Sequence, residues 1–293
     1  MLQEVLAQFV ISKRSAGLSE KTVEWYQFQL RALIIWLRAR AIAENWPTVG
    51  VIEAFLADER SRLKPVSLAG RYRAMNVFFG WCVERELLPG ANPMAKIKCP
   101  KVPKSKPRAA TIEDFDRFLS LMPSETWIDL RDRLAVNVMF LCGLRLAEVT
   151  DLTVSDFQLA AGVLLVRNGK GGDARPVPLL PVVAKAFMAY LYVRPTSESS
   201  YVFISGNDDR PLLPNGLRLM LRRRCRALGI PYLNPRSFRH GLAMYVLNRG
   251  GDMSLVQKIL GHSKIQTTAD HYAKWLVDPM IKRFSDVMGN TGG

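Results

Sequence analysis

Two stretches in the first hundred residues carry apolar side chains at positions i, i+4, i+7 and i+11, which share one face of a helix. Shorter helical stretches lie near residues 2–14 and 48–62, and Ser19 is a candidate N-cap for the first long stretch. The amino-terminal part is therefore predicted to be a small four-helix domain. The two apolar faces consist of Tyr26, Leu30, Leu33 and Leu37, and of Leu68, Tyr72, Met75 and Phe79.

The pattern of the second half is mixed. Helical patterns cover residues 112–121 and 128–151 and resume from Pro181 to the end of the chain. Between them, GVLLVRNGKGGDARPVPL is typical of two apolar, β-branched strands joined by a glycine-rich turn. Pro176 and Pro178 restrict the second strand to the edge of a sheet. We therefore predict an α+β fold, mostly α-helical with a small antiparallel β-sheet.

A connector separates the two parts. Residues 98–110, KCPKVPKSKPRAA, contain five basic residues and three prolines and no acidic residue. Proline favours extended backbone and the like charges repel, which predicts a stiff, exposed linker. Residues 1–97 and 111–293 are then separate domains, as a chain of 293 residues leads us to expect.

Composition argues against a membrane or secreted protein. No apolar stretch reaches the roughly 18 residues that a membrane helix needs. The segment from Met1 to Phe9 lacks a basic region followed by an apolar one, so we expect no signal peptide. The four cysteines lie at unrelated spacings, which favours a reduced cytoplasmic protein without a structural zinc site.

The charge balance points to a polyanionic partner. The chain has 41 Lys and Arg against 26 Asp and Glu, a net charge of +15, and such an excess repels itself in the folded state. Nucleic acid is the leading partner, ahead of an acidic membrane surface or a merely soluble basic protein. The linker is then either a solvated connector or a basic strap across a DNA backbone, and helical arginines such as Arg71 either meet phosphates or are solvated. The candidate DNA contacts are Lys101, Lys104, Lys106, Arg108 and Arg175.

Two segments offer positive charge next to glycine. In CGLRLAEV, Gly143 breaks a helical run and Arg145 opens the next helix, where a planar fork of donors near a helix amino terminus favours an anion. A pair with Glu148 at i+3 is the alternative. Lys170 lies between glycines in the predicted turn, where its ammonium group either delivers a proton or is simply solvated.

A third segment, NPRSFRHG, predicts a helix that begins after Asn234 and places three basic side chains on one face. Arg236, Arg239 and His240 stand at i, i+3 and i+4. Two guanidinium groups and an imidazole repel each other unless an anion, or carboxylates from elsewhere in the fold, lies among them.

The last segments are LGHSKIQTT and HYAKW. Gly261 is a candidate residue for ending a helix, which leaves His262 on the following turn. The Tyr272 phenol, with a usual pKa of about 10, is a poor nucleophile unless cations stabilise its phenolate or a base removes its proton. The preceding segments supply candidates for both tasks.

These motifs, GLRLAE, GKGGDARPVPL, RSFRHG, LGHSKIQTT and HYAKW, resemble in order and interval the tyrosine recombinase (phage integrase) family in its small two-domain form. GLSEKTVEWYQFQL is similar to the start of the helical core-binding domain of that family. The resemblance implies a core-type DNA-binding domain at residues 1–97, the linker at 98–110 and a catalytic domain at 111–293, with a tail from about residue 276.

The resemblance also implies roles for the candidate residues. Arg145 and Arg239 would bind the non-bridging oxygens of the scissile phosphate, and Lys170 would protonate the leaving 5′ oxygen. His262 would hydrogen-bond the phosphate and assist proton transfer. Tyr272 would attack to form a 3′-phosphotyrosine bond, without a metal ion, a cofactor or ATP.

The sequence departs from the family at Arg236, where histidine is most common. Arginine stays protonated and cannot act as a neutral base, so its contribution would be electrostatic, and the group that deprotonates Tyr272 stays open. His240 and Glu148 are assigned supporting roles.

The function implied is site-specific recombination of duplex DNA in the cytoplasm of a bacterium or a phage-infected host. Arg236 and ADHYAKW favour integration or excision of a phage or other mobile element over Xer-like resolution of chromosome or plasmid dimers. A type IB topoisomerase and a non-catalytic DNA-binding regulator are weaker alternatives. The partners implied are specific recombination sites, further copies of the chain in a tetramer on DNA and, where the system uses one, an accessory DNA-bending or directionality factor. The tail packs either on its own domain or on a neighbouring copy.

Overall fold

The computed structural model describes residues 1–43, 45–103, 108–168, 172–206 and 209–261. The chain divides into two compact units, Met1–Lys106 and Pro107–Gly293, and the division falls inside the predicted linker. Within the described ranges, no helix combines the length and the apolar character that spanning a membrane requires.

The first unit contains four α-helices, as the apolar spacing predicts. Leu30, Leu33 and Leu37 face the core, and the second helix begins after Ser19, whose hydroxyl hydrogen-bonds Thr22 Oγ1 at 2.7 Å. The core also buries large side chains from the other three helices, including Phe9, Ile52 and Phe79. The helices are α1 Leu2–Ser15, α2 Glu20–Ala39, α3 Val49–Arg62 and α4 Pro65–Glu84.

The prediction that Arg71 either meets phosphates or is solvated is wrong. Its side chain is buried, forms an ion pair with Glu59 and donates from Nε to Gln29 Oε1 at 3.1 Å. The carboxylate balances the charge of the guanidinium and the amide oxygen accepts one of its hydrogen bonds, which makes its burial tolerable. The helical pattern could not reveal this pairing because Gln29 is 42 residues away in the chain.

The second unit is mostly helical with two small antiparallel sheets, which confirms the α+β prediction. Its helices are α5 Ile112–Leu121, α6 Trp127–Leu141, α7 Leu146–Thr150, α8 Pro181–Val193, α9 Pro214–Ala227, α10 Pro235–Asn248 and α11 Met253–Leu260. Its strands are β1 Phe157–Gln158, β2 Val163–Asn168, β3 Gly172–Pro178, β4 Ile204–Ser205 and β5 Arg210–Pro211.

The larger sheet has the order β1-β2-β3, so β3 lies at an edge, as Pro176 and Pro178 require. Leu164 pairs with Val177, and both side chains are buried in the core. The prediction of helix throughout the region after Pro181 is wrong, because α8 stops at Val193 and a short hairpin of β4 and β5 follows. Pro195 and Pro211 lack the amide hydrogen that a continuing helix would need.

Helix α10 is fixed in place by α6 and by the segment before α5. Phe238 contacts Phe140 of α6 edge to face, at 6.5 Å between ring centroids. The Ala110 amide donates to the Ser237 carbonyl at 2.9 Å. At Gly241 the approach is so close that an added Cβ would lie 2.0 Å from the Ala110 carbonyl oxygen. The first turns of α10 therefore have a defined position.

Helix α11 packs against α10. Leu242 and Leu247 of α10 form a small apolar cluster with Val256 and Leu260 of α11, and all four are buried. Gly261 ends α11 in the left-handed conformation, with φ of +62°, as the sequence predicts. The carboxyl end of α11 is thereby held against the segments that carry the candidate arginines.

Candidate active site

The turn between α6 and α7 places Arg145. Gly143 adopts φ of +63°, and a Cβ there would lie 2.8 Å from side-chain atoms of both Leu242 and Leu260. Glycine adopts this backbone without strain, and its lack of a side chain leaves room for this approach. Arg145 follows as the N-cap of α7, so the predicted helix break and restart are confirmed.

Arg145 pairs with Glu148, and its side chain still reaches solvent. Its Nη1 donates to Glu148 Oε1 at 2.6 Å, and its backbone N–H donates to Oε2 at 2.7 Å. Its Nη2 donates to the Gly261 carbonyl at 3.2 Å. The side chain remains 45% exposed. The sequence left two roles open for Arg145, an ion pair with Glu148 and a site for an anion. The two roles are compatible, because the ion pair orients a guanidinium that an external phosphate can still approach.

Arg239 is a buried arginine, with a side chain 9% exposed. Its Nη1 donates to the Gly143 carbonyl at 2.6 Å, and its Nη2 donates to the Leu260 carbonyl. Nη1 lies 4.0 Å from Glu148 Oε2, beyond hydrogen-bond distance. The guanidinium thus joins α10 to the ends of α6 and α11.

A third arginine completes the cluster. Arg175, on β3, donates from Nη1 and Nη2 to the two carboxylate oxygens of Glu148, at 3.0 and 2.8 Å. Its Nε donates to the Ile259 carbonyl at 3.2 Å, and its side chain is 11% exposed. DNA contact by Arg175 stays an untested prediction, and in the structure its guanidinium is engaged by protein groups.

Three consecutive carbonyls at the end of α11 accept hydrogen bonds from these three arginines. The Ile259 carbonyl accepts from Arg175, and the Leu260 carbonyl accepts from Arg239. The Gly261 carbonyl accepts from Arg145. The last carbonyls of a helix lack partners within the helix and carry partial negative charge, which favours cations there. His262 is the next residue in the sequence after these three carbonyls.

Among the described residues, Glu148 is the carboxylate that binds the Arg145 and Arg175 side chains, and it lies 4.0 Å from Arg239 Nη1. Burial alone would raise its pKa, but hydrogen bonds from the Arg175 side chain and the Arg145 backbone and the positive charge of Arg175 lower the pKa to about 2. It is therefore ionised at neutral pH. Three guanidinium charges and one carboxylate leave these four side chains with an excess of two positive charges, which favours an anion such as a phosphodiester.

Arg236 and His240 do not share the environment of Arg239. Arg236 is exposed, and its side chain makes no hydrogen bond or ion pair with any residue that the structure describes. His240 is half-buried. Asn234 caps α10 as predicted and accepts from the Ser237 amide at 3.0 Å. The two arginines that were predicted to share one face of α10 therefore differ in environment, because Arg239 is buried and Arg236 is exposed.

The remaining candidates lie partly outside the described residues. Lys170, His262, Tyr272, Lys104 and Lys106 are in the segments that the structure leaves out. Of the other linker residues, Lys101 is exposed. Arg108 Nη2 donates to both carboxylate oxygens of Asp114, at 2.7 and 2.9 Å, so a DNA contact there would compete with an ion pair.

One basic surface was not anticipated from the sequence. Four arginines of α9 are exposed, and none forms a salt bridge with a described residue. Arg224, on the same helix, turns inward to Asp129 and Asp132. The run RRRCR was the available signal, but only the packing of α9 separates its inward arginine from its outward ones. The exposed set is Arg218, Arg222, Arg223 and Arg226.

Comparison with known proteins agrees with this geometry. Residues 111–277 match the phage integrase family. Tyrosine recombinase XerA of Pyrococcus furiosus is 29% identical over 272 residues, which cover 90% of this chain and 87% of that protein. Tyrosine recombinase XerD of Proteus mirabilis is 32% identical over 267 residues, covering 86% and 82%. A lambda integrase dimer solved on a core site has the same fold, with a TM-score of 0.72, 18% identity and coverage of 91% and 96%. The chain belongs to the phage integrase family and is a tyrosine recombinase, an enzyme that cleaves and rejoins DNA.

Proposed function

We propose that this protein is a site-specific recombinase in which Tyr272 forms a 3′-phosphotyrosine bond with the cleaved strand. One observation carries the proposal. Arg145 and Arg239, from helices far apart in the chain, donate to the neighbouring carbonyls of Gly261 and Leu260. Two permanent positive charges are thereby fixed side by side, next in sequence to His262.

This arrangement suits phosphoryl transfer. Charge that develops on the non-bridging oxygens is stabilised by donors already held in place, and removal of one such donor typically costs about 100- to 1000-fold in rate. Arg145, which is half exposed, and Arg239, which borders it, are the proposed phosphate ligands. Glu148 and the α11 carbonyls keep the two guanidinium groups at fixed positions.

The proposed reaction balances without ATP. The Tyr272 phenol oxygen attacks phosphorus, its proton passes to a base, and the bond from phosphorus to the 5′ oxygen breaks as Lys170 gives that oxygen a proton. A 5′ hydroxyl then attacks the phosphotyrosine, which releases Tyr272 and restores a phosphodiester. His262 assists through the phosphate, and Arg236 contributes charge near the site.

We propose duplex DNA as the substrate and α9 as part of the surface that binds it. Arg218, Arg222 and Arg226 stand at i, i+4 and i+8, and all three are exposed. Linker residues Lys101 and Arg108 add positive charge. The lambda integrase relative was solved as a dimer on DNA, which supports binding by several copies. We propose a tetramer on paired sites, with an accessory DNA-bending or directionality factor in systems that use one.

Integration or excision of a mobile element is the proposed biological outcome, supported by Arg236 in place of the usual histidine. Resolution of chromosome or plasmid dimers is the second candidate, favoured by the Xer recombinases that match almost the whole chain. Recombination of a plasmid carrying candidate attachment sites, compared with one carrying a dimer-resolution site, distinguishes the two outcomes.

A nicked suicide duplex library tests the chemistry and the site together. We expect a covalent adduct that survives denaturing electrophoresis with the unaltered protein and is lost with Tyr272→Phe. An adduct that persists in Tyr272→Phe, or no adduct on any duplex, would remove the proposal. Tyr245→Phe, a half-buried tyrosine of α10, is the matched control, and its adduct should be retained.

A further inference from the structure

The Arg175 side chain connects three segments that are distant in the chain. It belongs to β3, both of its terminal nitrogens bind Glu148 of α7, 27 residues away, and its Nε binds the Ile259 carbonyl of α11, 84 residues away. Arg145 opens α7, Lys170 precedes β3 and His262 follows α11. A single guanidinium therefore contacts or adjoins three of the five segments in which the proposed mechanism places its residues.

The space around Arg175 is closely fitted. A Cβ added at Gly261 would lie 2.8 Å from both Cδ and Nε of Arg175 and 2.9 Å from its Cζ. The backbone of the α11 end thus rests directly on the guanidinium. Lysine at position 175 could not reproduce this contact, because it supplies one ammonium point where arginine supplies a planar fork.

Arg175 also occupies the carboxylate of Glu148. Two donors from Arg175 and two from Arg145 fill its oxygens, while Arg239 Nη1 stays 4.0 Å away and binds Gly143 instead. Without Arg175, a buried carboxylate would lose its bidentate partner. Because an under-paired buried charge is costly, Glu148 would draw in the next described cation beyond Arg145, which is Arg239 at 4.0 Å.

We propose that Arg175 is a positioning residue for strand cleavage. It saturates Glu148 and anchors the α11 end, so that Arg145 and Arg239 keep the spacing that a phosphate requires. The proposal rests on the recombinase function proposed above. It differs from a DNA-contact role, in which the guanidinium would leave both protein partners.

The test measures chemistry and binding separately. Single-turnover cleavage of the suicide duplex is followed at saturating protein, and DNA affinity is measured across a range of salt concentrations. We expect Arg175→Met to slow cleavage by about 10- to 100-fold, since small misplacements of catalytic groups have effects of that order. DNA affinity and its salt dependence should stay within about twofold of the unaltered protein.

Glu148→Gln provides the second arm. If Arg175 acts through Glu148, Arg175→Met should slow the Glu148→Gln protein by only about threefold or less, because the charge that needed saturation is gone. Arg175→Lys should restore less than half of the cleavage rate lost in Arg175→Met. Arg117→Met, which removes an exposed arginine of α5, is the matched control and should cleave at the normal rate.

Three results would overturn the inference. The first is a normal cleavage rate in Arg175→Met. The second is a salt dependence of DNA affinity in Arg175→Met that is weaker by about one phosphate contact. The third is an effect of Arg175→Met on the cleavage rate that is as large in the Glu148→Gln protein as in the unaltered one. If Arg175→Met does not fold in a thermal melt, Arg175→Lys and the double variant decide on the same readouts. Absence of any adduct from the unaltered protein instead rejects the recombinase proposal itself, so the two failures are distinguishable.

Discussion

Nη1 of Arg239 donates a hydrogen bond of 2.6 Å to the carbonyl oxygen of Gly143, which follows α6 and adopts the left-handed conformation. That backbone geometry, which residues other than glycine rarely adopt, turns the Gly143 carbonyl toward the Arg239 guanidinium. A proposed phosphate ligand is therefore oriented by a residue that contributes no side chain.

Gly143→Ala is expected to lower both stability and cleavage. The left-handed backbone costs alanine about 1–2 kcal/mol. The new Cβ, 2.8 Å from Leu242 and from Leu260, adds a further overpacking cost of about 1–3 kcal/mol. Gly162→Ala is the control, since Gly162 has φ of +64° but no atom within 4 Å of an added Cβ. Urea unfolding of both variants should show the larger loss at Gly143, and equal losses would contradict the steric argument.

Glu148 should make the fold sensitive to acid. The pKa of Glu148 is about 2 in the folded protein against a usual 4.5, so the unfolded chain takes up the proton first as pH falls. Its contribution, on the order of 3 kcal/mol, is complete above pH 4.5 and is lost between about pH 4.5 and 2. The free energy of unfolding should fall less between pH 5 and pH 3 in Glu148→Gln than in the unaltered protein. Glu125→Gln, at an exposed position, is the control and should follow the unaltered protein.

Gly241→Ala is expected to destabilise the second unit even though alanine favours helices. The added Cβ would lie 2.0 Å from the Ala110 carbonyl oxygen, which is backbone and cannot rotate away. A loss of about 1–3 kcal/mol follows from overpacking. Gly80→Ala, in α4, meets only an ordinary contact at 3.6 Å and should gain about 0.5–1 kcal/mol. Chemical denaturation gives both values, and a stabilised Gly241→Ala protein would contradict the structure at this contact.

Arg222→Ala should weaken DNA binding through charge alone. Arg222 is exposed on α9 and its guanidinium lies 5.4 Å from the Tyr232 ring, with no acidic partner among the described residues. Loss of one phosphate contact should reduce the slope of log affinity against log salt by about one. Arg222→Lys keeps the charge and should keep the slope. An unchanged slope in Arg222→Ala would place DNA on another surface.

Strand cleavage should persist in EDTA. No group of three or more potential metal ligands occurs in the parts of the chain that the structure describes. In the proposed mechanism, the arginine cluster supplies the positive charge that a metal ion supplies in other phosphoryl-transfer enzymes. Adduct formation on the suicide duplex, measured with and without chelator, should be equal. Loss of adduct that added magnesium restores would contradict this expectation.

Local signals explain what the sequence could predict. The helix break at Gly143, the cap at Asn234 and the end of α11 at Gly261 each depend on a few adjacent residues, and all three are confirmed. The edge position of β3 also followed from its prolines alone.

Contacts across the chain explain what it could not. The binding of Arg175 to Glu148 and Ile259, and the burial of Arg71 beside Glu59, join residues on separate elements. Residue type alone assigns such arginines to the surface. The short hairpin of β4 and β5 was missed for a related reason, because strands of two residues carry too few positions to show an alternating pattern.

The contact of Ala110 with Ser237 and Gly241 has a practical meaning for dissecting the protein. A fragment of the second unit that started at residue 112 would lack Ala110 and its contacts with the first turns of α10. Every arginine of the cluster would still be present in that fragment. A fragment that started at residue 107 would keep these contacts. The amino-terminal limit of a fragment that keeps this contact is therefore set by the backbone amide of Ala110 rather than by any reactive side chain.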